Sequence, residues 1–260
     1  MTQKNHRTSA LITIALSLFF CASHPVYAVD DDALHIPQIQ WPSDGPLGRF
    51  DRAALQRGFQ VYLEVCSACH SLRYLRYQDL EDIGYSKEDV AQIAGEFSVQ
   101  DGPDDEGQMY QRKARGLDFF VEPFANEQAA RAANGGAYPP DLSLITLSRR
   151  NADNYMVALL KGYREPPPGF SMVEGKYYNV HYPGRQIGMP PPLYNDIVTY
   201  EDGSLASIDQ MSEDVTQFLI WAADPSMEER KRLGIQVFIF LLFLSILMVA
   251  AKKRIWSDKT

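Results

Sequence analysis

Cys66-Ser67-Ala68-Cys69-His70 is the stretch that decides how the rest of this chain reads. Two thiols at this spacing can form thioether bonds to the two vinyl groups of one haem, and the adjoining histidine then becomes the proximal ligand of a c-type haem. A bare Cys-x-x-Cys can also be a zinc half-site or a thioredoxin-like redox pair. A zinc site needs further Cys or His ligands, and none is spaced to help. The remaining cysteine, Cys21, falls in a segment that reads as a leader. A thioredoxin-like pair should follow a strand and open a helix, whereas here the motif closes a helical pattern. The motif therefore predicts covalent haem, with no cysteine left over for a disulfide.

The two ends of the chain set its compartment. Residues 1–28 read as a cleaved signal peptide: Lys4 and Arg7 form a positive start, Ala10 to Ala22 an apolar core, and Val26-Tyr27-Ala28 supplies small residues at the cleavage positions. Near the other end, Leu233 to Ala251 carries no charge. At about 1.5 Å per residue it spans roughly the hydrocarbon core of a bilayer. The basic flanks, Arg230-Lys231-Arg232 before it and Lys252, Lys253, Arg254 and Lys259 after it, nearly balance, so the positive-inside rule decides little. The leader decides the orientation. The expected organisation is an exported haem domain over residues 29–229, a transmembrane anchor over 230–251, and a cytoplasmic tail over 252–260, with the lipid bilayer as a partner.

Removal of the leader leaves 23 basic and 33 acidic residues, a formal net charge of −10. Residues 29–229 alone hold 16 basic and 32 acidic groups. Such an acidic exported domain argues against nucleic acid and suits a basic protein partner, whose encounter the field would steer and salt would weaken. The cluster Asp101, Asp104, Asp105 and Glu106 could steer that partner or be an ordinary solvated loop.

Along the chain the pattern is helix and loop. Asp51 to Ala68 carries a helical apolar stripe that delivers the cysteines at its C-terminal end. Ser86 and Asp89 form a capping box before Val90, Ile93 and Ala94. Glu127 to Ala133 is a short alanine-rich helix stopped by Gly135-Gly136, and Asn151 to Tyr163 is another helix. The spacing predicts one more from Ser212 to about Pro225. Glu165 to Pro192 is a long Pro-, Gly- and Tyr-rich loop, and Asp196 to Leu205 could be a small hairpin turning at Asp202-Gly203. The fold class is mainly α with long loops, as expected when a cofactor supplies much of the core.

A low-spin electron carrier needs a second axial ligand. Met189 is the best candidate on local grounds. Gly188 allows close approach to a haem face, and Pro190-Pro191-Pro192 stiffens the strap that carries the sulfur. Met172, His181 and His35 compete. Met248 lies in the membrane span, while Met156, Met211, Met227 and Met109 sit in or beside helices and the acidic loop.

Several longer runs resemble the cytochrome c1 family, the haem subunit of the quinol–cytochrome c reductase (cytochrome bc1) complex. They are Val65 to Leu72 around the haem motif, Ala132-Ala133-Asn134-Gly135-Gly136-Ala137-Tyr138-Pro139-Pro140-Asp141-Leu142-Ser143, Leu159-Leu160-Lys161-Gly162-Tyr163-Arg164-Glu165-Pro166-Pro167, Gly188-Met189-Pro190-Pro191-Pro192-Leu193, and Arg230-Lys231-Arg232-Leu233-Gly234 entering the span. The Pro-Pro-Asp-Leu-Ser and Gly-Tyr-Arg-Glu-Pro-Pro runs are far more particular than Cys-x-x-Cys-His. Leader and short tail suggest a bacterial form. One departure is Pro190, where many relatives carry alanine.

The resemblance implies a class I cytochrome c-like haem domain enlarged by long loops, with one C-terminal transmembrane helix. It implies Cys66 and Cys69 as the covalent attachment points of one haem c, His70 and Met189 as the axial ligands of the haem iron, and Arg149, with Arg150 as neighbouring choice, beside a haem propionate. It further implies cytochrome b as companion, a Rieske iron–sulfur protein as electron donor, cytochrome c as acceptor, a dimeric complex, and a periplasmic haem domain on the bacterial inner membrane. On this reading the chain itself breaks no bonds. The alternatives are a c-type subunit of another membrane oxidase or dehydrogenase, a haem peroxidase with an open sixth position, and a structural anchor with a metal-free thiol pair.

Overall fold

The computed structural model describes residues 36–257. The leader, Cys21, His35 and the last three residues of the tail lie outside the described residues. Within them the chain is mainly helical with long connections, as the sequence pattern predicts. The helices are α1 (Arg52–Val61), α2 (Lys87–Gly95), α3 (Glu127–Ala133), α4 (Ala152–Lys161), α5 (Ile208–Ala223) and α6 (Met227–Ser257). Short 3₁₀ turns cover Tyr77–Ile83, Ile145–Leu147 and Pro183–Arg185.

The centre of the fold is the packing of α1 on α5. Asp51 starts α1 by accepting hydrogen bonds from the amides of Ala53 (3.0 Å) and Ala54 (3.3 Å). The two helices approach so closely at Gly58 that a Cβ there would lie 2.0 Å from the Asp214 carbonyl oxygen and 2.7 Å from the Phe218 Cβ. Around this crossing Phe59, Tyr62, Phe120, Tyr77, Phe218 and Trp221 form one aromatic core, with ring centroids 4.6 to 6.2 Å apart in the pairs that touch. Beside it Arg57 grips the fully buried carboxylate of Asp214 with both Nε (2.9 Å) and Nη2 (3.0 Å).

Two expectations are corrected. The helix expected from Ser212 begins four residues earlier, at Ile208, because Ser207 caps it by accepting from the Gln210 amide at 3.1 Å. Ser212 is instead buried inside it, its hydroxyl donating to the Asp209 carbonyl at 2.9 Å. The expected hairpin over 196–205 has no strands. Its ends are pinned by Asp196 N–H to Ala206 C=O (2.9 Å), and the turn closes at Gly203, but Val198 and Tyr200 are buried in the core rather than paired across a ladder.

The strands that do form lie where the alternation is too weak to read. Strands β1 (Ser98–Asp101) and β2 (Tyr110–Lys113) pair antiparallel, with Asp101 opposite Tyr110, so the acidic loop is the tip of a hairpin. Arg112 closes its base, bonding Asp101 and, through two nitrogens at 2.6 and 2.8 Å, Asp118. Inside the long loop, β3 (Tyr177–Tyr178) pairs with β4 (Gln186–Ile187).

Helix α6 carries the apolar span and runs past it at both ends, over about 46 Å at the standard rise. Its apolar window has no face buried in the protein, as a membrane anchor requires. Its first turn is tied to the rest of the chain. Glu228 accepts from the Phe50 amide (2.7 Å) and the Arg52 guanidinium (2.8 Å), and the Lys231 ammonium donates to the Ser43 carbonyl (2.5 Å).

Candidate haem site

Helix α1 does not end at Val61. It widens into a π-helical turn over Tyr62–Cys66, and the Ser67 amide reaches back five residues to the Tyr62 carbonyl at 2.8 Å. The cysteine motif then folds tightly on itself, with the amides of Cys69 (3.1 Å) and His70 (2.9 Å) both donating to the Cys66 carbonyl. The Tyr62 hydroxyl closes the turn by donating to the His70 carbonyl at 3.0 Å. Cys66 packs against the aromatic core, and burial, with Cys69 as a second cause, pushes its thiol up to about 12. No cluster of metal-ligating side chains exists among the described residues.

The His70 ring is half-buried, and its Nδ1 lies 2.7 Å from the Pro140 carbonyl oxygen. A carbonyl can only accept, so Nδ1 carries the proton and Nε2 is left as the basic nitrogen. Burial lowers the imidazole below its ordinary range, against the pull of the Pro140 contact and the Asp141 charge.

Pro140 belongs to the segment 134–141, which links the whole site. At one end Asn134, capping α3, has its Oδ1 3.6 Å from the Cys69 sulfur. In the middle Ala137 touches the ligand strap: a Cβ on Gly188 would meet the Ala137 Cβ at 3.0 Å. At the other end Asp141 accepts from the Ser71 hydroxyl (2.7 Å) and from the amides of Arg73 (3.0 Å) and Ser143 (2.9 Å). Cys69, His70 and the residue before Met189 thus meet one short stretch of backbone.

Met189 is half-buried and packs with Tyr155, Leu159, Tyr163 and Ile187 in a second apolar cluster. Its carbonyl accepts the Tyr163 hydroxyl at 3.1 Å. Met172, the competing methionine, is half-buried in the long loop, while Met211 lies in the α1–α5 core, Met156 packs against that core, and Met109 is exposed. His181 is held beneath Gly162, where a Cβ would approach its Cδ2 to 2.9 Å. Arg149 is exposed, its guanidinium 4.2 Å above the ring of Tyr155, which is a member of the Met189 cluster.

These residues fit a c-type haem: two thiols on the end of a helix, a histidine with its tautomer set for ligation, and a glycine-proline methionine strap on the same backbone segment. Asn134, Pro140, Asp141 and Tyr163 are neighbours of the candidate site to which local sequence reasoning assigned no role. Their signal was present in the two particular runs around Pro-Pro-Asp-Leu-Ser and Gly-Tyr-Arg-Glu-Pro-Pro.

A family model described as the cytochrome C1 family matches residues 41–259. The chain belongs to the cytochrome c1 family. It is 47% identical over 252 residues to cytochrome c1 1, heme protein, mitochondrial, of Arabidopsis thaliana, covering 95% of this chain and 82% of that one. It is 43% identical over 245 residues to cytochrome c1 of Rhodospirillum rubrum, covering 88% and 90% of the two chains. It is 44% identical over 271 residues to cytochrome b/c1 of Bradyrhizobium diazoefficiens, covering 96% of this chain and 39% of that longer protein. Cytochrome c1 is the haem c subunit of the cytochrome bc1 complex, an electron-transfer subunit and not a bond-breaking enzyme.

Proposed function

We propose that this chain relays single electrons from a Rieske iron–sulfur protein to a cytochrome c, beside cytochrome b in a dimeric bc1 complex, with residues 29–229 in the periplasm and residues 230–251 crossing the inner membrane ahead of a cytoplasmic tail. The observation that carries this reading is the 134–141 segment, which meets both the attachment motif and the methionine strap. Cys66 and Cys69 would hold the haem, His70 and Met189 would be its axial ligands, and Arg149 would face a propionate through a charge-assisted contact. Bound haem c supplies reversible one-electron iron chemistry.

The protein's own part is to hold and to shield. The Pro140 carbonyl keeps the proton on Nδ1 of His70. The strap brings a thioether, a ligand type that raises the potential. The α1–α5 core partly covers Cys66, and burial holds the Tyr163 phenol above the ordinary tyrosine range. Helix α6, uncharged over its span and bonded at its first turn through Glu228 and Lys231, would keep the site at the membrane surface.

The test is Met189→Leu in the membrane complex. The expected result is covalent haem that survives acid–acetone extraction, loss of the far-red methionine-to-iron(III) charge-transfer band, a lower potential, and slowed quinol-dependent reduction of cytochrome c. An unchanged band removes Met189 as ligand. Co-purification with an oxidase or dehydrogenase, in place of cytochrome b and an iron–sulfur protein, overturns the assignment of partners.

A further inference from the structure

We propose that Tyr163 is the positioning residue of the methionine strap, latching Met189 in place through its hydroxyl bond to the Met189 carbonyl. The inference rests on the reading of Met189 as an axial ligand.

Beyond its apolar packing in the second cluster, the strap has few ties. The β3–β4 ladder ends at Ile187, two residues short of Met189. Pro190, Pro191 and Pro192 have no N–H to donate, so they stiffen the segment without tying it down. Gly188 contributes a close contact with Ala137 but no side-chain bond. The Tyr163 hydroxyl reaches 3.1 Å to the carbonyl of Met189 itself.

Tyr163 is well placed to act as a fixed post. It follows the C-terminal end of α4 at Gly162, whose carbonyl accepts from the Val180 amide at 3.0 Å. A Cβ on Gly162 would stand 2.4 Å from Asn179 Oδ1, so the two chain segments are in direct contact. Tyr163 pairs with Asn179 as an isolated bridge. Asn179 is fully buried, donates to the Leu159 carbonyl at 2.8 Å and accepts from the His181 amide at 3.0 Å. The post is therefore built into the end of α4 and the start of the ladder, and its hydroxyl spans the gap the ladder leaves. This gives the Gly-Tyr-Arg-Glu-Pro-Pro run a physical role: glycine for the close crossing and tyrosine for the latch.

A strap that opens more often lets an external ligand reach the iron. The test is the rate of cyanide binding to the oxidised complex carrying Tyr163→Phe, which keeps the ring and removes only the hydroxyl. The expected result is a retained far-red methionine band with cyanide binding faster by about two- to tenfold, the range for one neutral hydrogen bond. Tyr178→Phe, which removes a ladder hydroxyl bonded to Arg185 and not to the strap, should leave the rate unchanged. An unaltered rate in Tyr163→Phe, or an equal rise in Tyr178→Phe, overturns the latch. Met189→Leu separates the two readings, because a band that survives it defeats the ligand assignment and not the hydrogen bond. A measurement on the unsubstituted complex covers a Tyr163→Phe variant that does not accumulate. Carbonyl-¹³C methionine labelling, read by infrared difference against Met189→Leu, should show a hydrogen-bonded Met189 carbonyl, and a free-carbonyl frequency overturns the proposal.

Discussion

The imidazole of His70 and the carbonyl of Pro140, seventy residues apart in sequence, are joined by a 2.7 Å hydrogen bond that settles which ring nitrogen is free to ligate. Pro140 is presented by the residue after it. Burial pushes the Asp141 carboxyl up, but bonds from the Arg73 amide, the Ser71 hydroxyl and the Ser143 amide outweigh it and leave it below the ordinary carboxylate range. Asp141→Ala should destabilise the protein by about 2 kcal/mol, the scale of hydrogen bonds to a charged group. It should also lower the yield of covalent haem. Urea unfolding and a haem stain of denatured protein measure the two effects.

The Arg112–Asp118 pair beside the β1–β2 hairpin dictates a pH dependence. A carboxyl with a depressed folded pKa stabilises the fold above its unfolded value and loses that contribution as pH falls through the folded one. For Asp118 the Arg112 guanidinium is the main cause, and the folded value is about 2. The β1–β2 hairpin should therefore stay closed down to about pH 4 and loosen between about pH 4 and pH 2. Amide exchange at Val99 and Arg112 across that range is the measurement. Arg112→Gln should bring the loosening up toward the ordinary carboxylate range.

Gly58→Ala should be poorly tolerated. Its Cβ would overlap the Asp214 carbonyl, so α1 and α5 must part, at a cost of about 3 kcal/mol, the upper end for overpacking. Gly95, at the end of α2, has nothing within 4 Å of a built Cβ and no left-handed φ. Gly95→Ala should be neutral or stabilise by about 0.4–1 kcal/mol through the unfolded state. Thermal unfolding of the two variants side by side checks the contrast.

Arg57→Met should cost about 3–5 kcal/mol, because it leaves the carboxylate of Asp214 buried without its main partner. Gln210, which donates to the same carboxylate at 3.0 Å, cannot replace the charge. The double variant Arg57→Met/Asp214→Leu should recover much of the loss. Chemical denaturation of the single and double variants measures this.

How much of this was legible beforehand depends on how local each determinant is. The short helix Glu127–Ala133 and the Ser86–Asp89 capping box emerge in the structure at the residues that alanine propensity and cap chemistry indicate. The start of α5 was misplaced because Ser207 and Ser212 are both plausible caps, and only the burial of Ser212 distinguishes them. Strands β1 and β2 escaped notice because neither alternates apolar and polar residues; Arg112, reaching Asp101 and Asp118, holds the hairpin instead.

By itself the amino-acid sequence determined the attachment motif, the apolar span, the mainly helical class and the short list of methionines, because each depends on residues within a few positions of one another. Tertiary structure alone decided that Asn134, Ala137 and Pro140 lie against Cys69, Gly188 and His70, and that Tyr163 reaches the Met189 carbonyl. Those contacts join segments 26 to 70 residues apart. They arise from the packing of α4, the β3–β4 ladder and the 134–141 segment, which no local pattern of side chains encodes.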